Sequence, residues 1–128
     1  MNILLIDDDS DTNFLIDLLI RDLPYIEEYY IKDRARDALT FLEGYDQRLS
    51  CIFVDIKMPE MDGFNFVQKF EEEFLEKFPD TRIFFVTSSA RESDRSRAMD
   101  FSSVREVILK PLTRTKLKEI YDSLRPAP

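Results

Sequence analysis

The chain of 128 residues contains no histidine and no tryptophan, and its single cysteine is Cys51. Without histidine, every mechanism that uses an imidazole as base, nucleophile or metal ligand is excluded. One cysteine cannot form a disulfide within the chain, and this favours a cytoplasmic location. We expect Cys51 to be a small core residue rather than a redox centre.

Long apolar runs and an excess of positive charge are also absent. No apolar stretch is long enough to cross a membrane, and no basic segment precedes the first apolar residues, so we expect neither a membrane span nor a signal peptide. The net charge of −8 argues against nucleic-acid binding, which requires clustered Lys and Arg. Apolar residues make up 44% of the chain and charged residues 34%, which is typical of a globular protein. The length predicts a single domain over residues 1–128, without an output domain.

Five strand-like segments alternate with five helix-like segments. Short apolar runs predict strands, and apolar residues at helical spacing predict helices. The predicted strands are Met1–Ile6, Tyr25–Lys32, Cys51–Val54, Arg82–Thr87 and Glu106–Leu109, the second of them at an edge of the sheet. The predicted helices are Asp11–Arg21, one from Ala35 to a C′ residue at Gly44, one after Gly63, Glu92–Met99, and one from a Thr113 cap to Leu124. This alternation predicts an α/β fold, a doubly wound five-stranded parallel sheet with helices on both faces.

For two of the helices, the sequence also predicts which residues face the core and which face solvent. The first helix, capped by Asp9 or Ser10, has apolar residues at helical spacing; these are Phe14, Leu15, Leu18 and Leu19. The third has an apolar stripe of Val67, Phe70, Phe74 and Phe78. Its solvent side is predicted to carry Glu71, Glu72, Glu73 and Glu76.

Polar side chains follow four of the predicted strands. They are Asp7 and Asp8 after the first, Asp55 after the third, Thr87 at the end of the fourth and Lys110 after the fifth. Because parallel strands end at one edge of a sheet, these residues can converge, and ligands bind at such edges. Carboxylate pairs at about 4 Å repel by roughly 4 kcal/mol each at an effective dielectric near 20. A Mg²⁺ ion and the Lys110 ammonium would neutralise three carboxylates, and Mg²⁺ also binds phosphoryl oxygens.

Each motif has a simpler interpretation when taken alone. Asp7 and its neighbours could form a solvated turn with a helix cap, and Asp55 could be a turn residue. The Thr87 hydroxyl could satisfy nearby backbone groups, and Lys110 alone is uninformative. Their joint placement at strand ends favours a phosphoryl-binding site.

The sequence resembles the response-regulator receiver family of two-component signalling over essentially its whole length. The resemblance rests on the pair Asp7-Asp8, on Asp55 within VDIKMPEMDG, on Thr87 within FFVTS, and on Lys110 before a proline. It implies a flavodoxin-like sheet with strand order 2-1-3-4-5.

The resemblance also implies a role for each site residue. Asp55 would accept a phosphoryl group from the phosphohistidine of a sensor histidine kinase or a histidine phosphotransfer protein. Asp8, Asp55 and the backbone carbonyl of Lys57 would bind Mg²⁺, with Asp7 acting through water.

Two further residues would respond to the phosphoryl group. Lys110 would pair with Asp55 before the reaction and contact the phosphoryl group afterwards. Thr87 would bind a phosphoryl oxygen and move inward, and the resulting conformational change would signal to a downstream protein. The chain would not be an enzyme beyond its own phosphorylation and dephosphorylation.

The chain departs from the family pattern at several positions. Val107 stands where many receivers have an aromatic residue that turns inward, so no ring can report phosphorylation there. The segment 101–103 reads Phe-Ser-Ser, where a Gly-Ala pair is usual. Lys57 and Ser89 occupy positions that flank the approach of water, and we hypothesise that they tune the lifetime of the phosphoryl group.

Two other functions compete with a phosphorylated receiver. One is a receiver-like interaction module that is never phosphorylated. The other is an aspartyl-phosphate hydrolase of small phosphate esters, a class that typically carries a second aspartate two residues after the nucleophile. Lys57 stands at that position, which counts against the hydrolase.

Overall fold

A computed structural model describes residues 1–124, and in it five parallel strands form one sheet in the order β2-β1-β3-β4-β5. The strands are β1 (Asn2–Ile6), β2 (Glu28–Lys32), β3 (Cys51–Val54), β4 (Arg82–Thr87) and β5 (Val104–Leu109). The helices are α1 (Ser10–Ile20), α2 (Ala35–Gly44), α3 (Gly63–Glu73), α4 (Glu92–Met99) and α5 (Arg114–Leu124). The predicted α/β fold, strand order and edge position of β2 are confirmed.

The core lies in two layers, one on each face of the sheet. Leu4 and Ile6 of β1 point toward α2, α3 and α4, whereas Ile3 and Leu5 point toward α1 and α5. This alternation follows from the two-residue repeat of a strand, and both faces are covered, as a parallel sheet requires. Cys51 is fully buried in the second layer, as predicted, and burial raises the pKa of its thiol to about 12.

Helix α1 buries a different face from the predicted one. Ile16 and Ile20 are buried, whereas Phe14, Leu15 and Leu18 are 62%, 63% and 42% exposed. Leu19, the fourth residue of the predicted face, is partly buried and packs against the same core layer as Ile16. The helix is apolar on more than one side, so its spacing fits two faces equally well. The sheet covers only the Ile16 side, and an apolar patch remains on the surface beside it.

The predicted stripe after Gly63 is buried throughout, although α3 itself ends at Glu73. Phe74 and Phe78 follow the helix in turns, where the amide of Phe74 donates to the Phe70 carbonyl and that of Phe78 to the Phe74 carbonyl. The rings of Phe70, Phe74 and Phe78 pack together with centroids 6.2 to 6.4 Å apart. This cluster anchors α3 against the sheet.

Glu72, Glu73 and Glu76 are exposed as predicted, whereas Glu71 is only partly exposed. Its carboxylate accepts hydrogen bonds from the backbone amide of Ser103 at 2.8 Å and from the Ser103 hydroxyl at 2.5 Å. Bonds to a carboxylate are stronger than neutral ones. The serines that replace the usual Gly-Ala pair are therefore tied to α3.

Gly44 is not a C′ residue in a left-handed conformation. It is the last residue of α2, and Tyr45 follows it with an extended backbone. No glycine in the described part of the chain has a positive φ.

Helix α5 agrees with the sequence prediction. The Thr113 hydroxyl accepts a hydrogen bond from the Lys116 amide at 3.1 Å, and Leu117 and Ile120 are buried. The sequence after this helix predicts a tail over residues 126–128, which lie outside the described residues. Among residues 1–124, no helix has the length and apolar content needed to cross a bilayer.

Candidate functional site

Strand register brings the three acidic residues together. Ile6 and Val54, the last residues of β1 and β3, are paired across the sheet, and the amide of Asp55 donates to the Ile6 carbonyl at 3.0 Å. Asp7 and Asp55 therefore leave neighbouring strands at the same level. Carboxylate oxygens of Asp7, Asp8 and Asp55 all lie within 4.8 Å of one another.

Lys110 reaches this acidic group from β5. Its Nζ lies 2.7 Å from Oδ2 of Asp7 and 3.1 Å from Oδ2 of Asp55. The amide of Lys110 donates to the carbonyl of Thr87 at 2.9 Å, which fixes the start of its side chain relative to β4. The lysine thus bridges two strands' aspartates, with the shorter contact to Asp7.

Two of the three carboxylates of the site are buried, and the site carries excess negative charge. Asp7 and Asp55 are 7% and 8% exposed, and Asp8 is exposed. Burial and the charge of Asp7 raise the pKa of Asp55, against the opposing effect of Lys110. Burial disfavours the charged form of Lys110, but its bonds to Asp7 and Asp55 outweigh this and raise the pKa of the ammonium. Three carboxylates face one ammonium, so two negative charges remain to be balanced by a divalent cation.

The loop after Asp55 closes tightly over its backbone. A Cβ atom on Gly63 would lie 2.2 Å from the carbonyl oxygen of Asp55, so only glycine fits there. Asp62 caps α3 by accepting from the Asn65 amide at 2.8 Å, within a capping box. Lys57 lies in this loop, beside a surface cleft of about 540 Å³. The loop geometry therefore holds Asp55 at a fixed position.

Thr87 stands at the end of β4, at the same edge of the sheet, and is 1% exposed. Its hydroxyl oxygen accepts a hydrogen bond from the Ser89 amide at 3.1 Å. Thr87 therefore lies at the edge of the sheet that carries the site, and its hydroxyl is the hydrogen-bond partner of a backbone amide. A hydroxyl with one bond accepted still has a proton to donate.

Two supporting residues at the start of α1, the N-cap Asp9 and Asn13 in the first turn, hold Asp7. The side-chain amide of Asn13 donates to the Asp7 carbonyl at 2.7 Å, and the amide of Asp9 donates to Oδ1 of Asp7 at 3.0 Å. Asp9, not Ser10, caps α1, accepting from the amide of Asp11. Sequence reasoning missed Asn13, because one amide in the first turn of a helix carries no specific signal.

A cavity of about 580 Å³ opens beside the acidic group, between α1, the sheet and the segment after β5. Its walls are mostly apolar, and they include Leu15, Leu19 and Leu112. Asp55 and Lys110 lie at its boundary. The sequence signal that could have revealed it is the second apolar face of α1, which the core does not need.

Comparisons with known proteins agree with this geometry. The response regulator receiver domain family matches residues 3–122. A protein of 14.6 kDa from Leptolyngbya boryana, described as uncharacterized, is 33% identical over 91% of this chain and 84% of its own length. The sensor histidine kinase CheAY of Helicobacter pylori is 35% identical over 59% of this chain, a match that spans 9% of the kinase.

A solved structure also matches closely. The crystal structure of a two-component response regulator from Cytophaga hutchinsonii superimposes with a TM-score of 0.85 at 28% identity, covering 96% of this chain and 95% of that one. The similarity therefore extends over the whole described fold as well as the sequence.

Proposed function

This chain belongs to the response regulator receiver family of two-component signalling, and we propose that it takes a phosphoryl group onto Asp55 from a phosphohistidine, in a Mg²⁺-dependent reaction. The observation that carries the proposal is the Lys110 ammonium, which bridges Asp7 and Asp55 beside Asp8. This arrangement supplies a buried nucleophile and one fixed positive charge, and leaves a negative balance that suits a divalent cation.

The donor set fits Mg²⁺. Three carboxylates with ligand oxygens within 4.8 Å of one another offer the hard oxygen ligands that this ion prefers. Asp8, Asp55 and the Lys57 carbonyl would hold the ion directly, and Asp7 through water. When bound, Mg²⁺ would neutralise charge on the transferring phosphoryl group and orient its oxygens.

In the transfer, an Asp55 carboxylate oxygen attacks phosphorus, and the P–N bond of the phosphohistidine breaks. The bonding electron pair stays on the imidazole, and Asp55 becomes an acyl phosphate. Lys110 exchanges its bond to Asp55 for one to a phosphoryl oxygen and keeps its bond to Asp7. Thr87 donates its hydroxyl proton to another phosphoryl oxygen, and its movement starts the conformational change that signals.

We propose that the partner is a sensor histidine kinase or a histidine phosphotransfer protein that docks on α1. The exposed side chains of Phe14, Leu15 and Leu18 form an apolar patch next to the cavity that borders Asp55. Exposed apolar patches of this kind mark interaction sites. We expect this exchange in the cytoplasm, with no enzymatic turnover beyond slow loss of the chain's own phosphoryl group.

Acetyl phosphate with Mg²⁺ tests the proposal directly. We expect mass spectrometry to detect one labile phosphoryl group, present in the parent and absent from Asp55→Asn. Asp46→Asn is the matched control, because the Asp46 side chain is 89% exposed and lies outside the site. Sustained hydrolysis of varied phosphate esters would indicate the hydrolase instead. Absence of both an adduct and beryllofluoride binding would indicate an unphosphorylated interaction module.

The lifetime of the phosphoryl group depends, in our proposal, on Lys57 and Ser89. Lys57 is exposed in the loop after Asp55, where its ammonium can restrict the approach of water. Dephosphorylation of Lys57→Ala should therefore differ in rate from that of the parent. Equal rates would remove Lys57 from this account.

A further inference from the structure

Helix α4 is weakly anchored to the rest of the fold. Ala98 is its one buried residue within Glu92–Met99, and the Arg97 guanidinium adds a contact at 4.2 Å from the centroid of the Phe64 ring. Helices in proteins are stabilised mainly by packing of an apolar face. The position of α4 therefore depends strongly on what holds its two ends.

The N-terminal end of α4 is linked to Thr87 through one residue. The Ser89 amide donates to the Thr87 hydroxyl oxygen at 3.1 Å, and the Ser89 hydroxyl donates to Oδ2 of Asp94 at 2.7 Å. Asp94 lies in the first turn of α4. We call this pair of hydrogen bonds the Ser89 link.

The C-terminal end is tied to a different element. The Glu71 carboxylate of α3 accepts from the amide and hydroxyl of Ser103, just before β5. The ring of Phe64, also on α3, lies under Arg97. This end of α4 is thus attached to α3, which the buried phenylalanines hold against the sheet.

We propose that Asp94 is a positioning residue in this chain, which acts through the Ser89 link to couple the first turn of α4 to the movement of Thr87. The inference rests on the proposed phosphorylation of Asp55. When Thr87 moves toward a phosphoryl oxygen, it donates its own proton there and keeps the bond from the Ser89 amide. Ser89 then shifts, and its hydroxyl moves the first turn of α4. The contact of Arg97 with Phe64 holds the other end, and the bonds of Glu71 to Ser103 hold the segment that follows it.

The side chain at position 107 on β5 does not offer the same kind of route. Val107 is partly buried against the α2–α4 side of the core and has neither a ring nor a polar atom with which to follow Thr87. The Ser89 link, in contrast, leads from the Thr87 hydroxyl to a helix by two hydrogen bonds. The coupling is reciprocal, so whatever stabilises the shifted α4 also favours the phosphorylated state.

Hydrogen exchange of the α4 amides from residues 95–99 tests the proposal, measured with and without Mg²⁺ and beryllofluoride. In the parent we expect binding to change these exchange rates roughly tenfold, within the usual range for coupled sites. In Asp94→Ala and in Ser89→Ala the change should fall below about twofold, although beryllofluoride still binds. The two effects should not add in the double variant, because each removes the same bond.

Three matched variants separate coupling from general loosening. Glu92→Ala removes an equal charge from the same helical turn and should keep the tenfold response. Asp94→Asn retains an oxygen that accepts from Ser89 and should restore it. Glu71→Ala should speed exchange near Ser103 equally in both states.

Equal responses in Asp94→Ala and Glu92→Ala would overturn the Ser89 link, and so would an unchanged α4 in the parent with beryllofluoride bound. Binding itself is followed by the fluorine resonance of the adduct, with Asp55→Asn as the negative control. If the parent fails to bind, the proposed phosphorylation fails, and the inference fails with it.

Discussion

Helices α1 and α3 both begin after an aspartate-bearing strand end, and an aspartate caps each of them. Asp9 accepts from the amide of Asp11 at the start of α1, and Asp62 accepts from that of Asn65 at the start of α3. The two helices differ in how much of their apolar surface is buried. Helix α3 buries Phe64, Phe66, Val67 and Phe70, whereas α1 exposes Phe14, Leu15 and Leu18.

This difference indicates that α1 and α3, which lie on two sides of the site, have different roles. The phenylalanines of α3 fix the loop that carries Asp55, through the close contact between Gly63 and the Asp55 carbonyl. The exposed apolar side chains of α1 contribute nothing comparable to the core, and one of them, Leu15, lines the cavity beside the acidic group. We therefore expect α3 to determine stability and α1 to determine which donor docks.

The largest effect is expected in α3. Phe70 is fully buried and contacts the rings of Phe74 and Phe78. Phe70→Ala should lower the free energy of unfolding by about 3–5 kcal/mol, because it removes apolar burial and leaves a cavity. Urea unfolding followed by circular dichroism measures this. A loss below about 1 kcal/mol would contradict the division between the two helices.

A smaller effect is expected at the start of α3. Gly63→Ala should cost about 1–3 kcal/mol, because the added methyl group meets the Asp55 carbonyl, and it should also slow phosphorylation by acetyl phosphate. Gly44→Ala is the control, since no atom lies within 4 Å of the added Cβ and an alanine favours helix by about 0.5–1 kcal/mol. Equal effects of the two substitutions would show that the close contact is unimportant.

Asp55→Asn should stabilise the Mg²⁺-free protein by on the order of 1 kcal/mol, since it removes one of three clustered charges. The pKa of Asp55 is raised on folding, so the folded state binds the proton more tightly than the unfolded state. Its contribution to stability therefore falls as the pH rises from the unfolded-state pKa through the folded-state pKa. Urea titrations across this range should show that the parent loses more stability than the variant. At saturating Mg²⁺ the parent should instead be more stable than Asp55→Asn, because the ion binds the folded parent more tightly.

The smallest effect on stability is expected in α1. Phe14→Ala should change the free energy of unfolding by less than about 0.5 kcal/mol, because the side chain is 62% exposed. Phosphotransfer from a cognate phosphohistidine protein should nevertheless fall about tenfold, as for loss of an interface anchor. Phosphorylation by acetyl phosphate should not change. Met99→Ala, at an exposed residue of α4, is the control for a nonspecific effect. An unchanged rate of phosphotransfer to Phe14→Ala would contradict the proposal that the phosphohistidine protein docks on α1.

The fold and the acidic group were predictable because both follow from local patterns. Strand and helix periodicities alternate along the chain, and in a parallel sheet the residues after each strand must meet at one edge, as Asp7 and Asp55 do. The buried face of α1 was not predictable, since six of its eleven residues are apolar and two faces fit the spacing. Which one is covered depends on the sheet.

Contacts between distant elements left no trace in the sequence. Glu71 and Ser103 are 32 positions apart, and a glutamate in an acidic run is normally solvated. For the cavity beside α1, the second apolar face of the helix is a signal in the sequence, but the cavity itself forms only when three elements are assembled. The contact between Glu71 and Ser103 and the shape of the cavity depend on tertiary geometry, which neither residue type nor periodicity records.

The fully enclosed thiol of Cys51 provides a built-in reporter of how often the sheet opens. It sits on the central strand of the sheet, and its raised pKa keeps it protonated, so alkylating reagents cannot attack it while the native strands remain closed. Labelling then proceeds only through transient opening, at a rate that measures the population of the open form. Because the chain has no second cysteine, all alkylation reports on this one strand, and no engineered probe is needed.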